Sequence, residues 1–239
     1  MKLLLVNVNT TASATDAMVV AAQACVSTGT EVVGLTPTSG SAGVDSVVQS
    51  LLAAVGVLDV VVRYPDPYDA VILAGFGEHG REGLQELLEV PVIDIAEAAV
   101  HVAMLLGRTV SIVTTLPRSV AQVQDRLLLA GLGQRCVSVR AVGLTTRELD
   151  EPGSVAAVVA EARAAVEQDG AEVVVLGCGG LAGLDALVSS EIGVPVVDPV
   201  ATGAVLAEAL VRLGLRTSNV GSCAPPDLSS TSPWPPAGP

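Results

Sequence analysis

Aromatic side chains are nearly missing: the 239 residues include one Phe, two Tyr and one Trp, 2% of the chain, although half of it is hydrophobic. Such a core has to be built from Val, Leu, Ile and Ala. That suits β-branched strands between Ala/Leu helices and excludes a β-sandwich or an aromatic-rich binding module. Histidine is as scarce, with only His79 and His101. No H-x-x-x-H, H-E-x-x-H or C-x-x-C set exists, so no metal site is expected. Four cysteines, Cys25, Cys136, Cys178 and Cys223, lie far apart and form no disulfide pattern. Positive charge is sparse too, with 12 Lys+Arg against 25 Asp+Glu, a net charge of −13 and a pI near 4.4. A body of that charge repels phosphate backbones, which argues against a nucleic-acid partner. Long hydrophobic runs are lacking despite a mean hydropathy of +0.61. Val71–Ala74 and Val173–Leu176 are strand-length and end at glycines, well short of the roughly 20 residues a membrane span needs. Met1–Val6 is too short for a signal-peptide core, and a cytoplasmic protein with no membrane partner is expected.

What remains is a grammar of strands and helices. The first half predicts strand Lys2–Val8, helix Ala12–Ser27, strand Glu31–Thr36, a helix over Val44–Ala54, strand Ala70–Ala74, helix Arg81–Glu89, strand Val90–Ile93 and helix Ala96–Leu106. The second half repeats it, from strand Thr109–Thr114 to helix Val200–Leu213. Val71-Ile72-Leu73-Ala74-Gly75 aligns with Val174-Val175-Leu176-Gly177-Cys178 at an offset of 103, and Val90-Pro91-Val92-Ile93-Asp94 with Val194-Pro195-Val196-Val197-Asp198 at 104. The near-constant offset predicts an α/β protein of two pseudo-symmetric lobes, each a parallel sheet flanked by helices, with the site in the cleft between them. The lobes are placed at residues 1–107, whose last helix is free to cross to the other lobe, and 108–216. Residues 217–239, with six prolines and Trp234, read as a flexible tail. A homo-oligomer is the expected assembly.

In parallel α/β sheets ligands gather beyond the carboxyl ends of strands, which brings Gly75 and Cys178 to one cleft. Cys178, in Leu176-Gly177-Cys178-Gly179-Gly180, is the strongest chemical candidate. Backbone N–H groups of such a turn bind anions and a helix start lowers a thiol pKa, although a small buried cysteine in a tight turn is the competing role. Facing it is Gly75-Phe76-Gly77-Glu78-His79-Gly80. His79 can move a proton near neutral pH or serve as a solvent-facing cap, and Glu78 can act as a base or cap the next helix. His101, in an Ala/Val/Met-rich helix, is expected to be packed. Asn7, Asn9 and Thr10 at one strand end, and Thr114, Thr115, Arg118 and Ser119 at another, form a rim of short donors suited to a carboxylate or imide. Thr10 and Thr115 could equally cap helices. No G-x-G-x-x-G follows the first strand, and neither G-x-x-x-x-G-K-[ST] nor G-x-S-x-G occurs, so no nucleotide cofactor and no serine nucleophile are expected.

Taken together, Asn7-Val8-Asn9-Thr10, the Gly75–Gly80 segment, Ile95-Ala96-Glu97-Ala98-Ala99, Thr114-Thr115 with Arg118-Ser119, the Cys178 segment and Val194–Asp198 resemble the aspartate/glutamate racemase superfamily, closest to its hydantoin/allantoin racemase branch. The resemblance implies a cofactor-independent enzyme whose two cysteines flank the substrate, one removing the α-proton and the other reprotonating the opposite face. Cys178 matches the second cysteine, but Gly75 stands at the first, and Glu78-His79 replaces the usual acidic-Pro pair. Three readings follow. Glu78 or His79 supplies the missing base of a racemase or epimerase acting on a small anionic or imide-containing carbon acid. Alternatively the chain resembles the arylmalonate decarboxylase branch, which also lacks the first cysteine, with Cys178 as sole proton donor. Otherwise it runs another enolate-forming reaction in the same cleft, or, in the third reading, only binds its ligand. Gly75, Phe76, Gly77, Gly179 and Gly180 complete the expected binding set.

Overall fold

Alternation of short apolar strands with Ala-rich helices gives two four-stranded parallel sheets in the computed structural model, which describes residues 1–228. The first holds β1 (Lys2–Asn7), β2 (Glu31–Leu35), β3 (Ala70–Ala74) and β4 (Val92–Asp94) in the order β2-β1-β3-β4. The second holds β5 (Val110–Thr114), β6 (Cys136–Ala141), β7 (Val173–Leu176) and β8 (Val196–Val197) in the order β6-β5-β7-β8, which is the same plan. Every residue of β3, β5 and β7 is buried, as expected of central parallel strands covered by helices on both faces. The repeat extends to the caps. Asp94 Oδ1 accepts from the amides of Ala96 and Glu97, and Asp198 Oδ1 from those of Val200 and Ala201, so each Val-Pro-Val-x-Asp segment ends a strand and starts a helix.

The helices are α1 (Ala12–Cys25), α2 (Val47–Val62), α3 (Arg81–Leu87), α4 (Ile95–Leu106), α5 (Pro117–Leu129), α6 (Ser154–Asp169), α7 (Asp185–Ile192) and α8 (Pro199–Arg212). The last helix of each half serves the other half. Val200, Ala204 and Ala207 of α8 pack into the first-sheet core with Leu3, Leu5 and Ile72. Ala99, Val100 and Ala103 of α4 pack with Val110, Ile112 and Val175 of the second. Ile95 opens α4 and touches the α8 side, so it sits at the joint. Each sheet thus has part of its cover supplied by the opposite half, which ties the two lobes together beside the cleft.

Three expectations are corrected. α2 begins at Val47 and runs to Val62, because Ser46 caps it through the Gln49 amide and the apolar pattern continues past Ala54. α7 starts only at Asp185, since residues 179–181 form a separate 3₁₀ turn after Cys178. His101 is exposed, with Nδ1 2.8 Å from the carbonyl of Glu97. Thr217, where the tail was expected to begin, donates through its amide to the Glu89 carbonyl and through its hydroxyl to that of Val90. The tail's end, including Trp234, lies outside the described residues. No helix among them is long and apolar enough to cross a membrane.

Because Ile95 is fully buried where α4 and α8 meet over the first sheet, Ile95→Ala should cost about 2–5 kcal/mol of unfolding free energy. Urea denaturation followed by circular dichroism measures this. A loss under 1 kcal/mol would contradict the joint role.

Candidate active site

The carboxyl ends of β1, β3, β5 and β7 converge on a cavity of about 220 Å³ between the two lobes. Asn7, Val8, Asn9, Gly75, Phe76 and His79 line it from the first lobe, and Thr114, Thr115, Cys178, Gly179 and Gly180 from the second. The lobes meet closely here. A Cβ on Gly179 would lie 2.8 Å from Met18 Sδ and 3.1 Å from the carbonyl oxygen of Ala74, so only glycine lets the Cys178 turn seat against the end of β3. Gly80, at φ +93°, turns the chain from the facing loop into α3.

The polar side chains divide into those committed to the scaffold and those left for a ligand. Asn7 Nδ2 lies within hydrogen-bond distance of Asn9 Oδ1, the Thr11 carbonyl and Thr15 Oγ1, while Asn7 Oδ1 accepts from the Asn9 amide. Asn7 therefore builds the loop. Thr114 donates to the Gly177 carbonyl across the second sheet. Asn9 Nδ2 and the side chains of Thr115, Ser119 and Gln122 border the cavity without a partner among the described residues. Gln122, Thr146 and Ser13 went unnoticed in the sequence; the spacing of Ser119 and Gln122 on α5, three residues apart, was the available signal. Neither Thr10 nor Thr115 caps a helix: Thr11 and Leu116 hold those positions without side-chain caps. Thr10, Gly77 and Arg118 do not line the cavity, and Arg118 is exposed. Glu78 is turned away as well, with Oε2 accepting from Arg126 at 2.9 Å and Oε1 from the Gly80 amide.

His79 is the surprise. It is buried, with 5% of its surface exposed, and is no solvent-facing cap. Ser50 Oγ donates to the Glu78 carbonyl at 2.7 Å, and its single proton is thereby used. The 2.9 Å contact between Ser50 Oγ and His79 Nδ1 must then be donated by the imidazole, which leaves Nε2 as the lone-pair nitrogen. The ring fills the space a side chain on residue 75 would need. A Cβ there would lie 2.4 Å from His79 Cδ2 and 2.5 Å from Val8 Cγ1.

The sequence-family comparison agrees with this geometry. Residues 3–207 match the model of the Asp/Glu/hydantoin racemase family. A hydantoin racemase from Paenarthrobacter aurescens is 35% identical over 93% of this chain and 96% of its own length. The crystal structure of an allantoin racemase from Pseudomonas fluorescens superposes with a TM-score of 0.94 at 54% identity, covering 95% of this chain and 97% of that one. Unliganded arylmalonate decarboxylase, 19% identical with a TM-score of 0.60 over 88% of this chain and 92% of that one, shares the fold alone.

The chain belongs to the Asp/Glu/hydantoin racemase family. By class it is an isomerase.

Against the family pattern, the two lobes carry unlike groups at their matching strand ends. Burial pushes the Cys178 thiol up to about 11, outweighing the Gly180 amide that points at Sγ from 3.4 Å. The expected lowering by a helix start fails because the half-buried thiol loses hydration and only a single 3₁₀ turn follows it. Burial, aided by the Arg126 charge, pulls His79 down to about 4. At neutral pH the cavity thus holds a neutral thiol and a neutral imidazole.

The depressed His79 pKa carries a stability consequence. Between pH 6.5 and about 4 the unfolded chain binds a proton that the folded chain refuses, so this contribution is present above pH 6.5 and is lost as pH falls towards 4. Over that window it amounts to about 3 kcal/mol. Urea unfolding at pH 7 and pH 4.5 should show a clearly smaller drop for His79→Gln than for the wild type. Equal drops would mean that His79 titrates normally.

Proposed function

We propose that this enzyme is a cofactor-independent racemase of a neutral, 5-substituted hydantoin, with Cys178 and His79 as its two proton-transfer groups. One observation carries the reading: the His79 ring occupies the volume of the absent residue-75 side chain, in the same cavity as Cys178. A two-face proton transfer needs two groups, and Gly75 offers none. Glu78, the other candidate, is engaged with Arg126.

In one direction His79 Nε2 accepts the C5 proton, and the C–H pair moves onto the adjacent carbonyl oxygen as an enolate. The Cys178 S–H proton then goes to the opposite face of C5, which leaves thiolate and imidazolium. That proton-shifted pair handles the other enantiomer by the same steps reversed. The Gly180 amide is placed to hold the thiolate, while Asn9, Thr115, Ser119 and Gln122 supply donors for the ring carbonyls and the enolate. Because the two forms differ only in where one proton sits, both directions share one pH profile.

Charge selects the substrate class. Among the described residues no Lys, Arg, Asp or Glu lines the cavity, so a free carboxylate or a malonate dianion would meet no counter-ion from them. A neutral imide meets donors and acceptors of its own kind. At ~30 Å³ per water, 220 Å³ is the space of roughly seven waters, enough for a five-membered ring and a short substituent. Allantoin, named for the 54% identical relative, is the first compound to try. The expected homo-oligomer is supported by the exposed apolar residues Val48, Leu51, Leu52 and Val55 on α2, and Leu51→Glu should lower the mass measured by light scattering.

Incubating single enantiomers of allantoin and of 5-alkyl hydantoins in deuterated water, followed by chiral separation and mass spectrometry, tests the chemistry. The wild type should incorporate deuterium with inversion, with or without a chelator. Cys178→Ala and His79→Gln should each lose at least 10²-fold in kcat, the usual scale of a general acid or base. Gly75→Cys alone should be hindered by the His79 ring and by Val8, whereas Gly75→Cys with His79→Ala and Val8→Ala should recover racemization beyond His79→Ala with Val8→Ala. Full activity in His79→Gln would remove His79 from the mechanism.

A further inference from the structure

The side of α5 that borders the cavity through Ser119, Gln122 and Val123 continues at the same helical spacing to Arg126. This arginine is 7% exposed and reaches across to the first lobe. Its Nη1 donates to Glu78 Oε2 at 2.9 Å and Glu82 Oε1 at 2.8 Å. Its Nη2 lies 3.0 Å from Glu97 Oε1 and 3.6 Å from Asp94 Oδ2, contacts of charge without hydrogen-bond geometry. Arg81 pairs with Glu82 and Glu97. Two guanidinium groups thus face four carboxylates: Glu78 from the β3–α3 loop, Glu82 from α3, and Asp94 and Glu97 from the start of α4.

A cluster with this imbalance is a poor stabilizing device, because Arg126 and Asp94 lose their hydration while Glu78 and Glu82 stay half exposed and screened by water. The carboxylates show the strain. Burial pushes Asp94 up to about 7, while burial and the neighbouring Glu82 raise Glu78. What the cluster does achieve is placement. Glu78 directly precedes His79, and Arg126 lies one turn beyond Gln122 and Val123 on α5. The two opposing walls of the cavity are therefore tied through a single side chain.

We propose that Arg126 is a positioning residue: by gripping Glu78 and Glu82 from α5 it fixes the His79 loop of one lobe against the ligand-facing side of the other. Its effect on catalysis rests on the racemase reading above. Displacing a reacting group by about 1 Å costs on the order of 10²-fold in rate. Arg126 itself stays outside the cavity, so its loss should lower kcat and leave KM nearly unchanged.

The experiment compares full-length wild type, Arg126→Gln and Arg126→Lys by allantoin racemization, by NMR titration of His79, and by circular dichroism to verify folding. Arg126→Gln should lose 10- to 100-fold in kcat. It should also raise the His79 titration, since the cation that disfavours the imidazolium would be gone. Arg126→Lys keeps the charge but not the forked grip, so it should keep the His79 titration near the wild-type position and still lose several-fold in kcat. If Arg126→Gln does not fold, the lysine variant decides by kcat: a several-fold loss supports the proposal and a wild-type value overturns it. Wild-type kcat together with an unmoved His79 titration in the folded variant would overturn the proposal, as would a change in KM alone. A wild type inert on every hydantoin would instead sink the racemase reading. The NMR titration would then still decide whether Arg126 governs His79.

Discussion

At the end of β3 the imidazole of His79 and the Val8 side chain together leave no room for a side chain on residue 75. Much of the site's chemistry descends from that exclusion. With glycine at 75, the ring folds inward onto Ser50, and its burial makes it neutral and fixes its tautomer. On the other lobe the corresponding strand end keeps its thiol. The internal duplication thus supplies matching geometry, and one substitution makes the chemistry of the halves unequal.

Unequal groups work as a pair only if their protonation states are complementary. A thiol near 11 and an imidazole near 4 are far apart, so the resting enzyme holds the form with one donor and one acceptor. The reverse form, thiolate with imidazolium, has the same proton count but places a charge on each side of the substrate. Separated charges of this kind are costly in a small enclosed site unless donors meet them. The Gly180 amide meets the thiolate on one side, whereas burial and the Arg126 charge oppose the imidazolium on the other. In the proposed mechanism, balance between the two directions is therefore an electrostatic property of the surroundings and is not set by Cys178 and His79 alone.

How much of this could be read from the sequence follows from range. The lobes were legible because each strand–turn–helix unit carries its own signals, down to the two Val-Pro-Val-x-Asp segments whose aspartates cap α4 and α8. Cys178 was legible because its glycines surround it. The opposing loop misled: Glu78 and His79 are neighbours in sequence, but one points to Arg126 and the other into the cavity, and nothing within the six residues 75–80 distinguishes them. The partners that decide, Ser50 and Arg126, lie 29 and 48 positions away. His101 shows the opposite failure, since an apolar helix context suggested burial for a residue on the outer face of α4.

The exchange of helices links these scales. α4 begins at Asp94, within the carboxylate cluster, and then packs over the second sheet, while α8 returns to cover the first. Asp94 consequently does two things with its two oxygens: Oδ1 starts α4, and Oδ2 faces Arg126. A shift of α5 relative to the first lobe would disturb this same carboxylate, and through α4 the core beneath the second sheet. The cleft is therefore bordered by groups whose positions are coupled to both cores, which is a reason for a proton-transfer site to sit between two lobes. Two faces of one carbon need two rigid walls, and here each wall is held by an element from the other half of the chain.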